Sequence, residues 1–236
     1  MLETGAKQLN IMLTNKQVDQ LLLYKDILIE WNKKINLTAI TKEEEIITKH
    51  FLDSMTVNNA INIKNINTVI DIGTGAGFPG MVLKIVFEDL QITLVDSLKK
   101  RVVFLEEVIK ELGLKNIYCV QARAEDLAQD KNYREKFDIA TSRAVANLST
   151  LSEYVLPFVK VGGYFIALKG QKLDEELKLG DKSIKLLGGE IAGVIEANVP
   201  LAELNHTILV VKKIASTNKK YPRKAGEPSK NPLGKN

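Results

Sequence analysis

The sequence predicts an α/β fold: a doubly wound, Rossmann-like sheet of seven strands, the last one antiparallel, preceded by a helical extension. Short apolar runs rich in Val and Ile follow Asn67, and segments of helical character, about 10–17 residues long, fit between the first six runs. The last two runs are joined by a short link, which favours an antiparallel pair. We expect the strands at 68–72, 91–96, 116–121, 137–142, 163–169, 190–198 and 206–213.

Before the sheet, the apolar residues recur at helical spacing. Thr14 and Gln17 form a capping-box signature, and the pattern that follows predicts an amphipathic helix over 15–33. A second helix is expected over 42–60. We interpret Trp31 as a core residue, because an amphipathic helix usually buries its tryptophan. The chain is therefore predicted to consist of a helical extension, a sheet domain and a basic C-terminal tail, at residues 1–60, 61–214 and 215–236.

The composition is that of an ordinary globular protein, but the charge is unevenly distributed. Of 33 Lys/Arg in the 236 residues, eight lie after Val211, beside the single acid Glu227. This tail is interpreted either as a phosphate-binding segment or as a solubilising disordered terminus. The only cysteine, Cys119, cannot form an internal disulfide, and the sequence contains neither a secretory signal nor an apolar membrane span. We expect a cytoplasmic protein.

The most informative motif follows the first predicted strand. Gly75, Gly77 and Gly80 satisfy the G-x-G-x-x-G spacing, in which glycines let the backbone turn closely around a ligand before a helix begins. Taken alone, this spacing would indicate a dinucleotide site. Asp71, however, precedes the glycines at the strand end, where a buried carboxylate would repel a pyrophosphate and favour a cationic group. The pocket is therefore predicted to bind a nucleoside with a positive end.

Two further strand ends carry residues that suit such a ligand. Asp96 ends the second predicted strand, a place from which a carboxylate accepts hydrogen bonds from ribose hydroxyls. The segment 122–126, after the third strand, supplies backbone donors and acidic groups for an adenine amino group. The alternative explanation for each acid alone is a helix cap or an exposed turn, and it is the preferred one for Asp126 or Asp130 taken singly. The three strand ends together fit S-adenosylmethionine better than a nicotinamide cofactor.

Short motifs spread over nearly the whole chain carry a family resemblance. They are Trp31–Asn32, Asn36–Thr38, His50–Ser54, Asp71–Gly80, Asp96–Ser97 with Lys100–Arg101, Ala124–Glu125, Ser142–Ala144, Lys169–Gly170 and Tyr221–Lys224 with Gly226. The glycine motif is common to many methyltransferases, whereas the His-Phe-Leu-Asp-Ser, Ser-Arg-Ala and Tyr-Pro-Arg elements are more particular. With these motifs the chain resembles the ribosomal RNA small subunit methyltransferase G family, also called glucose-inhibited division protein B.

The resemblance implies an S-adenosylmethionine-dependent enzyme that methylates the 7-position nitrogen of a guanine in 16S rRNA of the small ribosomal subunit. That nitrogen already carries a free lone pair, so the enzyme needs no general base and no residue is singled out as a certain catalyst. Asp96 is expected at the ribose of the methyl donor. The residues expected to bind the donor are Gly73, Gly75, Phe78, Asp96, Ser97, Ala124, Glu125 and Arg143.

Other basic and aromatic residues are candidates for positioning the substrate. Arg143 and Lys169 end the fourth and fifth strands, where they either hold guanine, phosphate or donor, or simply pair with nearby acids. Lys169 is therefore also a candidate RNA contact. In the tail, Tyr221, Arg223 and Lys224 are predicted to bind RNA, because a ring and a guanidinium suit exposed bases.

Two other functions remain open. One is a methyltransferase that acts on a small metabolite, for which the basic tail is incidental. The other is a non-catalytic RNA-binding assembly factor with the same fold. His50, a histidine without a partner motif, is interpreted as a structural hydrogen-bonding residue. No metal-ligand cluster is apparent. The expected partner is 16S rRNA or the small ribosomal subunit, and the protein is expected to be a monomer without a membrane segment.

Overall fold

The computed structural model describes residues 1–143, 146–170, 173–202 and 204–234. None of the helices in these ranges combines the length and the apolar character needed to span a membrane. The first part of the chain is helical and consists of α1 (Leu2–Gln8), α2 (Asn15–Asn32), α3 (Glu43–Ile46), a π-helical segment (Ile47–Leu52), α4 (Asp53–Met55), α5 (Val57–Ala60) and a 3₁₀ turn (Ile63–Asn65).

Strands and helices alternate through the rest of the chain. The elements are β1 (Thr68–Ile72), α6 (Gly80–Val86), β2 (Gln91–Asp96), α7 (Lys99–Glu111), β3 (Ile117–Gln121), α8 (Ala124–Leu127), β4 (Phe137–Arg143), α9 (Leu148–Val155), a 3₁₀ turn (Leu156–Phe158), β5 (Val159–Lys169), α10 (Leu173–Leu186), β6 (Gly189–Asn198), β7 (Asn205–Lys213) and α11 (Glu227–Lys230).

Helix α2 confirms the helix predicted over 15–33, together with its cap. The Thr14 hydroxyl accepts a hydrogen bond from Gln17 N (3.3 Å), and the Gln17 side chain accepts one from Thr14 N (2.9 Å). The capping box therefore satisfies two backbone donors at the start of the helix. Near the end of the helix, Trp31 packs edge-on against Phe104, with ring centroids 5.7 Å apart. Its place against the core agrees with the interpretation from sequence.

The segment predicted as one helix over 42–60 is helical but is not a single α-helix. Between α3 and α4 the backbone widens into a π-helical segment, which packs His50 and Phe51 into the protein. Asp53, the first residue of α4, is buried as well. Both His50 and Asp53 contact Arg143 at the end of β4. The irregular helix thus brings polar side chains of the extension to the carboxyl ends of the strands, where π turns often serve a function.

The strands form one sheet in the order β3-β2-β1-β4-β5-β7-β6. β1 to β5 pair in parallel, whereas β7 lies antiparallel between β5 and β6. This arrangement confirms the predicted fold class. The order of strands reverses at the junction of β1 and β4, and ligands of such sheets bind at the carboxyl ends beside this switch point.

Two features of the sheet differ from the prediction. β5 starts at Val159 instead of 163, because Val159 pairs with Phe137 before the register shifts. The crossover helices α6, α8 and α9 have seven, four and eight residues, fewer than expected. The rest of each crossover is loop, and the loops after β1 and β3 build the site described below.

Each face of the sheet is covered by a different apolar layer. On one face the N-terminal helices pack with α6 and α7, and Leu21, Phe51 and Phe104 are buried there. On the other face α9 and α10 bury residues such as Leu151 and Ile184. The two terminal parts of the chain are therefore attached to opposite sides of the sheet, since Tyr221 belongs to the second layer.

Residues 217–234, called the C-terminal strap below, lie against the second face. Arg134 donates a hydrogen bond to Tyr221 O (2.9 Å), and Gln129 donates one to Pro222 O (3.0 Å). A disordered terminus, one of the two interpretations of this segment, is therefore wrong for residues 217–234. The Lys and Arg residues of this stretch made its sequence resemble that of a disordered segment. The contacts that hold the stretch in place, however, are made largely by its backbone carbonyl groups.

Candidate active site

The turn between β1 and α6 contains the glycine motif. Gly75 and Gly77 adopt φ angles of +63° and +101°, which side chains rarely tolerate. A Cβ atom at Gly77 would lie 2.7 Å from the Tyr24 hydroxyl oxygen, so α2 packs directly on the turn. The motif therefore allows a tight turn that is supported from behind by the N-terminal extension.

Asp71 lies beneath this turn and holds it. Its Oδ2 accepts hydrogen bonds from Thr74 Oγ1 (2.7 Å) and Gly80 N (2.9 Å), and so caps the start of α6. Complete burial raises the pKa of the carboxyl group to about 6, against the effect of these two hydrogen bonds. Asp71 lines neither of the cavities beside the turn. Its visible role is thus to shape the turn.

A cavity of about 560 Å³ opens at the carboxyl ends of β1, β2 and β3. The sequence did not single out Arg123 or Tyr154 of its wall as ligand contacts. Arg123 lies two residues after β3, within the segment 122–126 predicted to face the adenine, although its side chain was not proposed as a contact. Tyr154 lies inside α9 and gave no signal. The wall brings together six of the eight residues predicted to bind the methyl donor: Gly73, Asp96, Ser97, Ala124, Glu125 and Arg143.

Asp96 is almost fully buried in this wall, and both of its carboxylate oxygens accept hydrogen bonds. Oδ2 accepts from Gly75 N (3.0 Å) and Arg101 Nη1 (3.2 Å), and Oδ1 accepts from Leu98 N (2.9 Å). The two backbone bonds fix the carboxylate against the glycine turn. The Arg101 side chain is partly exposed, so its bond is the one that a ribose hydroxyl can replace.

A second cavity of about 180 Å³ adjoins the first. The two cavities share Gly73 and Arg143 in their walls. The residues predicted to bind the donor are therefore divided between two neighbouring spaces. The wall of the smaller cavity contains the other two of those residues, Gly75 and Phe78, and three residues of the N-terminal extension, Leu37, Thr38 and His50.

Arg143 stands at the junction of the two cavities. Its Nη1 donates a hydrogen bond to Asp53 Oδ2 (2.9 Å), and its Nη2 lies 3.2 Å from His50 Nδ1. The guanidinium carbon lies 4.9 Å from the centre of the Phe78 ring, within cation–π range. Of the roles that the sequence left open for Arg143, the ion pair with an acid is present. That acid, Asp53, comes from the extension and lies in the motif His50–Ser54, which gave no indication of this pairing.

The charges at this junction are set by burial and by neighbouring groups. Burial alone would raise the pKa of Asp53, but the hydrogen bond from His206 and the charge of Arg143 outweigh it and leave the pKa below its usual value. His206 Nδ1 lies 2.7 Å from Asp53 Oδ1. Burial lowers the pKa of His50 to about 3, and the Arg143 charge adds to the shift. His50 is therefore neutral at physiological pH, and Arg143 is balanced by Asp53.

Three of the predicted RNA contacts are held by the protein itself. Lys169 is 8% exposed, and its Nζ lies 2.8 Å from Glu176 Oε2. Tyr221 is 7% exposed, so little of its ring is free to stack on a base. Arg223 Nη2 lies 2.7 Å from Oε2 of the fully buried Glu153. The partner of Arg223 lies 70 positions away in sequence, which composition alone cannot reveal.

The strap borders the larger cavity. Gly226 N donates a hydrogen bond to Glu125 Oε1 (3.0 Å), and Ser229 Oγ lies 2.7 Å from the Tyr154 hydroxyl. Glu125 and Tyr154 both line that cavity. The strap therefore acts on the predicted donor site through two of its wall residues, a contact that the sequence gave no reason to expect.

Basic side chains gather on the outer side of the strap. Lys224 is exposed there, unlike the other predicted RNA contacts. A cavity of about 850 Å³ lies between the strap and α10, and its wall includes Lys182, Lys185, Arg223 and Lys230. This part of the surface therefore carries a local excess of positive charge, as the composition of the tail predicted.

A parallel sheet with an inserted antiparallel β7, a glycine turn after β1 and a carboxylate at the end of β2 defines the methyltransferase fold. Solved structures with this fold include a ribosomal protein L11 methylase from Lactobacillus delbrueckii subsp. bulgaricus, at 15% identity and a TM-score of 0.51, covering 75% of this chain and 81% of that one. Another is a variant of MtNAS in complex with S-adenosylmethionine, at 15% identity and a TM-score of 0.57, covering 91% and 84%.

Sequence comparison defines the family within this class. The model of the GidB family, described as rRNA small subunit methyltransferase G, matches residues 17–205. Proteins named Ribosomal RNA small subunit methyltransferase G from Alkaliphilus oremlandii and Clostridium botulinum are 54% and 50% identical over 232 residues, 98% of this chain and 97% of theirs. The chain belongs to the rRNA small subunit methyltransferase G family, which confirms the resemblance seen in the sequence.

Proposed function

We propose that this protein transfers a methyl group from S-adenosylmethionine to the 7-position nitrogen of a guanine in 16S rRNA. The observation that carries the proposal is the larger cavity, which gathers six predicted donor-binding residues at the carboxyl ends of the strands in a member of the rRNA small subunit methyltransferase G family. Ligands of doubly wound sheets bind at this edge.

The residues of the larger cavity fit the donor. Asp96 ends β2 and Glu125 lies in α8 just after β3, where a ribose and an adenine amino group need acceptors. Between them, Ala124 presents little side chain and leaves room for a flat base. Gly73, with φ of +69°, lets the turn after β1 approach the ligand closely. S-adenosylmethionine, when bound, would supply the methyl group. The electron pair of the carbon–sulfur bond would stay on the sulfur, and the methyl carbon would bond to the lone pair of the guanine nitrogen.

The chain's own residues have to hold and shield the reactants. The 7-position nitrogen of guanine uses its free lone pair, so no proton has to be removed before the transfer. Most of the rate enhancement therefore comes from holding the two reactants in line and excluding water. The neutral His50 and the paired Arg143 agree with this task, since neither adds an unbalanced positive charge beside a base that becomes cationic.

The rRNA is proposed to contact the basic surface beside the strap. Lys224 is exposed, and Lys182 and Lys230 line the basic cavity next to it. Such contacts release counterions, so RNA affinity should fall steeply as salt is raised. A ribosomal substrate also implies a cytoplasmic location. We expect the protein to act as a monomer, which sedimentation of the purified chain tests.

The proposal is tested by transfer of labelled methyl from S-adenosylmethionine to small ribosomal subunits and to naked 16S rRNA that lack the modification. Nucleoside analysis should find the label in 7-methylguanosine. Gly75→Ala adds a methyl group in the open space of the site, since its Cβ would meet only Gly73 O at 4.0 Å. Gly113→Ala is the matched control, because Gly113 has nearly the same φ, +62°, in an open turn outside the site.

The outcomes separate the competing functions. We expect Gly75→Ala to weaken donor binding and Gly113→Ala to leave it unchanged, although both pay the same backbone strain. Donor binding without label in RNA would instead favour a small-metabolite methyltransferase. Absence of donor binding even at about millimolar concentration, a weak-affinity limit, would favour a non-catalytic RNA-binding factor.

A further inference from the structure

His206 and Arg143 lie at the same edge of the sheet, on two strands that do not pair with each other. β4 ends at Arg143, at the carboxyl edge. β7 runs in the opposite direction, so its second residue, His206, lies near that edge as well. β5 lies between the two strands and separates them by about 10 Å. A side chain from outside the sheet is therefore needed to connect the two residues.

Asp53 of the N-terminal extension makes this connection. Its Oδ2 accepts the hydrogen bond from Arg143 Nη1 (2.9 Å), and its Oδ1 lies 2.7 Å from His206 Nδ1. The pKa of Asp53 lies below its usual value in spite of burial, so the carboxyl group is ionised and offers only acceptors. His206 Nδ1 therefore has to carry a hydrogen, because two lone pairs would otherwise face each other at this short distance.

The His206 ring is buried and is held at its other nitrogen too. The residue is 8% exposed, and its Nε2 lies 3.3 Å from Thr56 Oγ1. Asp53 and Thr56 both belong to the extension, so two contacts fix the ring between β7 and the helices that cover it. The ring cannot turn without giving up the contact with the Asp53 carboxylate.

The position of Arg143 depends on that carboxylate. The guanidinium also bonds to Lys49 O (3.3 Å) and lies 3.2 Å from His50 Nδ1. Of these three partners Asp53 is the charged one, and charge-assisted hydrogen bonds are about twice as strong as neutral ones. Arg143 lines both cavities, whereas neither Asp53 nor His206 is in their walls. Any effect of His206 on a ligand therefore has to pass through Asp53 and Arg143.

We propose that His206 is a positioning residue for the methyl donor: by donating from Nδ1 to Asp53, it sets the orientation of the carboxylate and thereby the place of the Arg143 guanidinium between the two cavities. This inference rests on the proposed function, in which Arg143 binds S-adenosylmethionine. Without His206, Asp53 Oδ1 loses this donor. The carboxylate is then free to turn and to draw the guanidinium away from the Phe78 ring.

The hydrogen on His206 Nδ1 is tested directly by heteronuclear NMR of the imidazole nitrogens. The chain has two histidines, His50 and His206, and the spectrum of His206→Gln assigns their signals. We expect Nδ1 of His206 to carry a hydrogen throughout the pH range in which the protein stays folded, because any deprotonation of the ring takes place at Nε2. A ring with its hydrogen on Nε2 alone would overturn the inference.

Substitution of His206 tests the effect on the donor. His206→Phe keeps a flat ring without a donor group, and we expect the affinity for S-adenosylmethionine, measured by calorimetry, to fall about fivefold. His206→Gln has an amide N–H that can replace Nδ1 and should retain most of the affinity. Thr207→Val is the matched control on β7, because neighbouring residues of a strand face opposite sides of the sheet and Thr207 lines neither cavity.

The variant Arg143→Lys separates a positioning role from a merely structural one. Lysine keeps a positive charge but cannot form the fork that Arg143 makes toward Asp53 and His50. If His206 acts through Arg143, His206→Phe should change donor affinity by less than about twofold in the Arg143→Lys background. An equal loss in both backgrounds would show that His206 only supports the fold and would overturn the inference.

The inference and the proposed function fail in different ways. Equal donor affinities of the wild type and His206→Phe would overturn the inference and leave the proposed function intact. A wild-type protein that does not bind S-adenosylmethionine would overturn the proposed function, and the inference would fail with it. If His206→Phe does not unfold cooperatively, His206→Gln decides instead: a loss no smaller than that of Arg143→Lys would contradict replacement of Nδ1 by the amide.

Discussion

The N-terminal extension and the C-terminal strap reach the same site from opposite faces of the sheet, and they are held there by different interactions. The extension is attached by apolar packing: Tyr24 and Phe51 are fully buried, with ring centroids 5.4 Å apart. The strap is attached mainly by polar bonds, such as the ion pair between Arg223 and the buried Glu153.

The two segments also serve different halves of the site. The extension supplies Thr38 and His50 to the smaller cavity, whereas the strap bonds to Glu125 and Tyr154 of the larger one. The comparison teaches that a segment rich in cations can be structural. Its charge is visible in the sequence, but the groups that neutralise it are supplied by distant parts of the fold.

Removal of the strap should have the largest effect on the protein. Deletion of 215–236 removes the partner of Glu153, and it removes Thr217, whose hydroxyl accepts a hydrogen bond from the fully buried Lys213 (2.5 Å). A buried charge without its partner costs about 3–5 kcal/mol, a large share of the stability of an ordinary domain. We expect calorimetry to find no cooperative thermal transition in the truncated chain.

The deletion therefore cannot isolate the contribution of the tail to RNA binding. A truncated chain that unfolds cooperatively at the wild-type temperature and keeps its affinity for S-adenosylmethionine would contradict the structural role of the strap.

Single substitutions within the strap should separate its structural cation from its surface cation. Arg223→Met leaves the buried Glu153 without its ion-pair partner, although the backbone N of residue 223 still donates to it. We expect the free energy of unfolding to fall by about 3 kcal/mol. Lys224→Met should change it by less than about 0.5 kcal/mol, because Lys224 is exposed. Denaturant unfolding measures both. Equal stabilities of the two variants would show that Arg223 contributes no more to the fold than Lys224.

RNA binding should respond in the opposite way. If Lys224 contacts a phosphate, Lys224→Met lowers the slope of log affinity against log salt by about one, measured by titration with 16S rRNA at several salt concentrations.

On the side of the extension, Asp53→Asn should cost about 2 kcal/mol, because a charged hydrogen bond to Arg143 is weakened. The pKa of Asp53 is lowered in the fold, so its contribution is complete above the unfolded value of about 3.9 and is lost as the pH falls through the folded value. The stability difference between the wild type and Asp53→Asn should therefore shrink below about pH 4. A difference that stays constant with pH would indicate altered packing and not a lost charge.

The smallest effect is expected where the strap meets Tyr154. Tyr154→Phe removes the hydrogen bond to Ser229, and we expect donor affinity measured by calorimetry to fall about two- to threefold. Tyr118→Phe is the control, because Tyr118 is 59% exposed on β3. Equal effects of the two substitutions would show that the strap does not act on the donor cavity through Tyr154.

The features that could be predicted from the sequence are those that local sequence patterns determine. The capping box of Thr14 and Gln17 marks the start of α2, and runs of Val and Ile mark the strands, because both signals depend on near neighbours. The carboxyl-end position of Asp96 and Glu125 follows from the parallel sheet, and it places both in one cavity. These features could be predicted without information on how the side chains pack.

The remaining features depend on contacts between distant residues. Asp53 pairs with Arg143 across 90 positions, and the burial of Tyr221 depends on a face of the sheet that its own neighbours in sequence do not form. The widened helical turn at His50 was also missed, because its apolar spacing resembles that of an ordinary α-helix. Tertiary contacts therefore decided the fine structure of the site.

The insertion of β7 between β5 and β6 affects the order in which the parts of a newly synthesised chain can fold. Within the part of the chain that the structure describes, β6 pairs only with β7, which the ribosome synthesises afterwards, so β6 emerges before its partner exists. The strap, which bonds to the wall of the larger cavity, follows β7 in the chain. Because domains fold as their segments emerge, the growing chain has its glycine turn early and the complete wall of the larger cavity last.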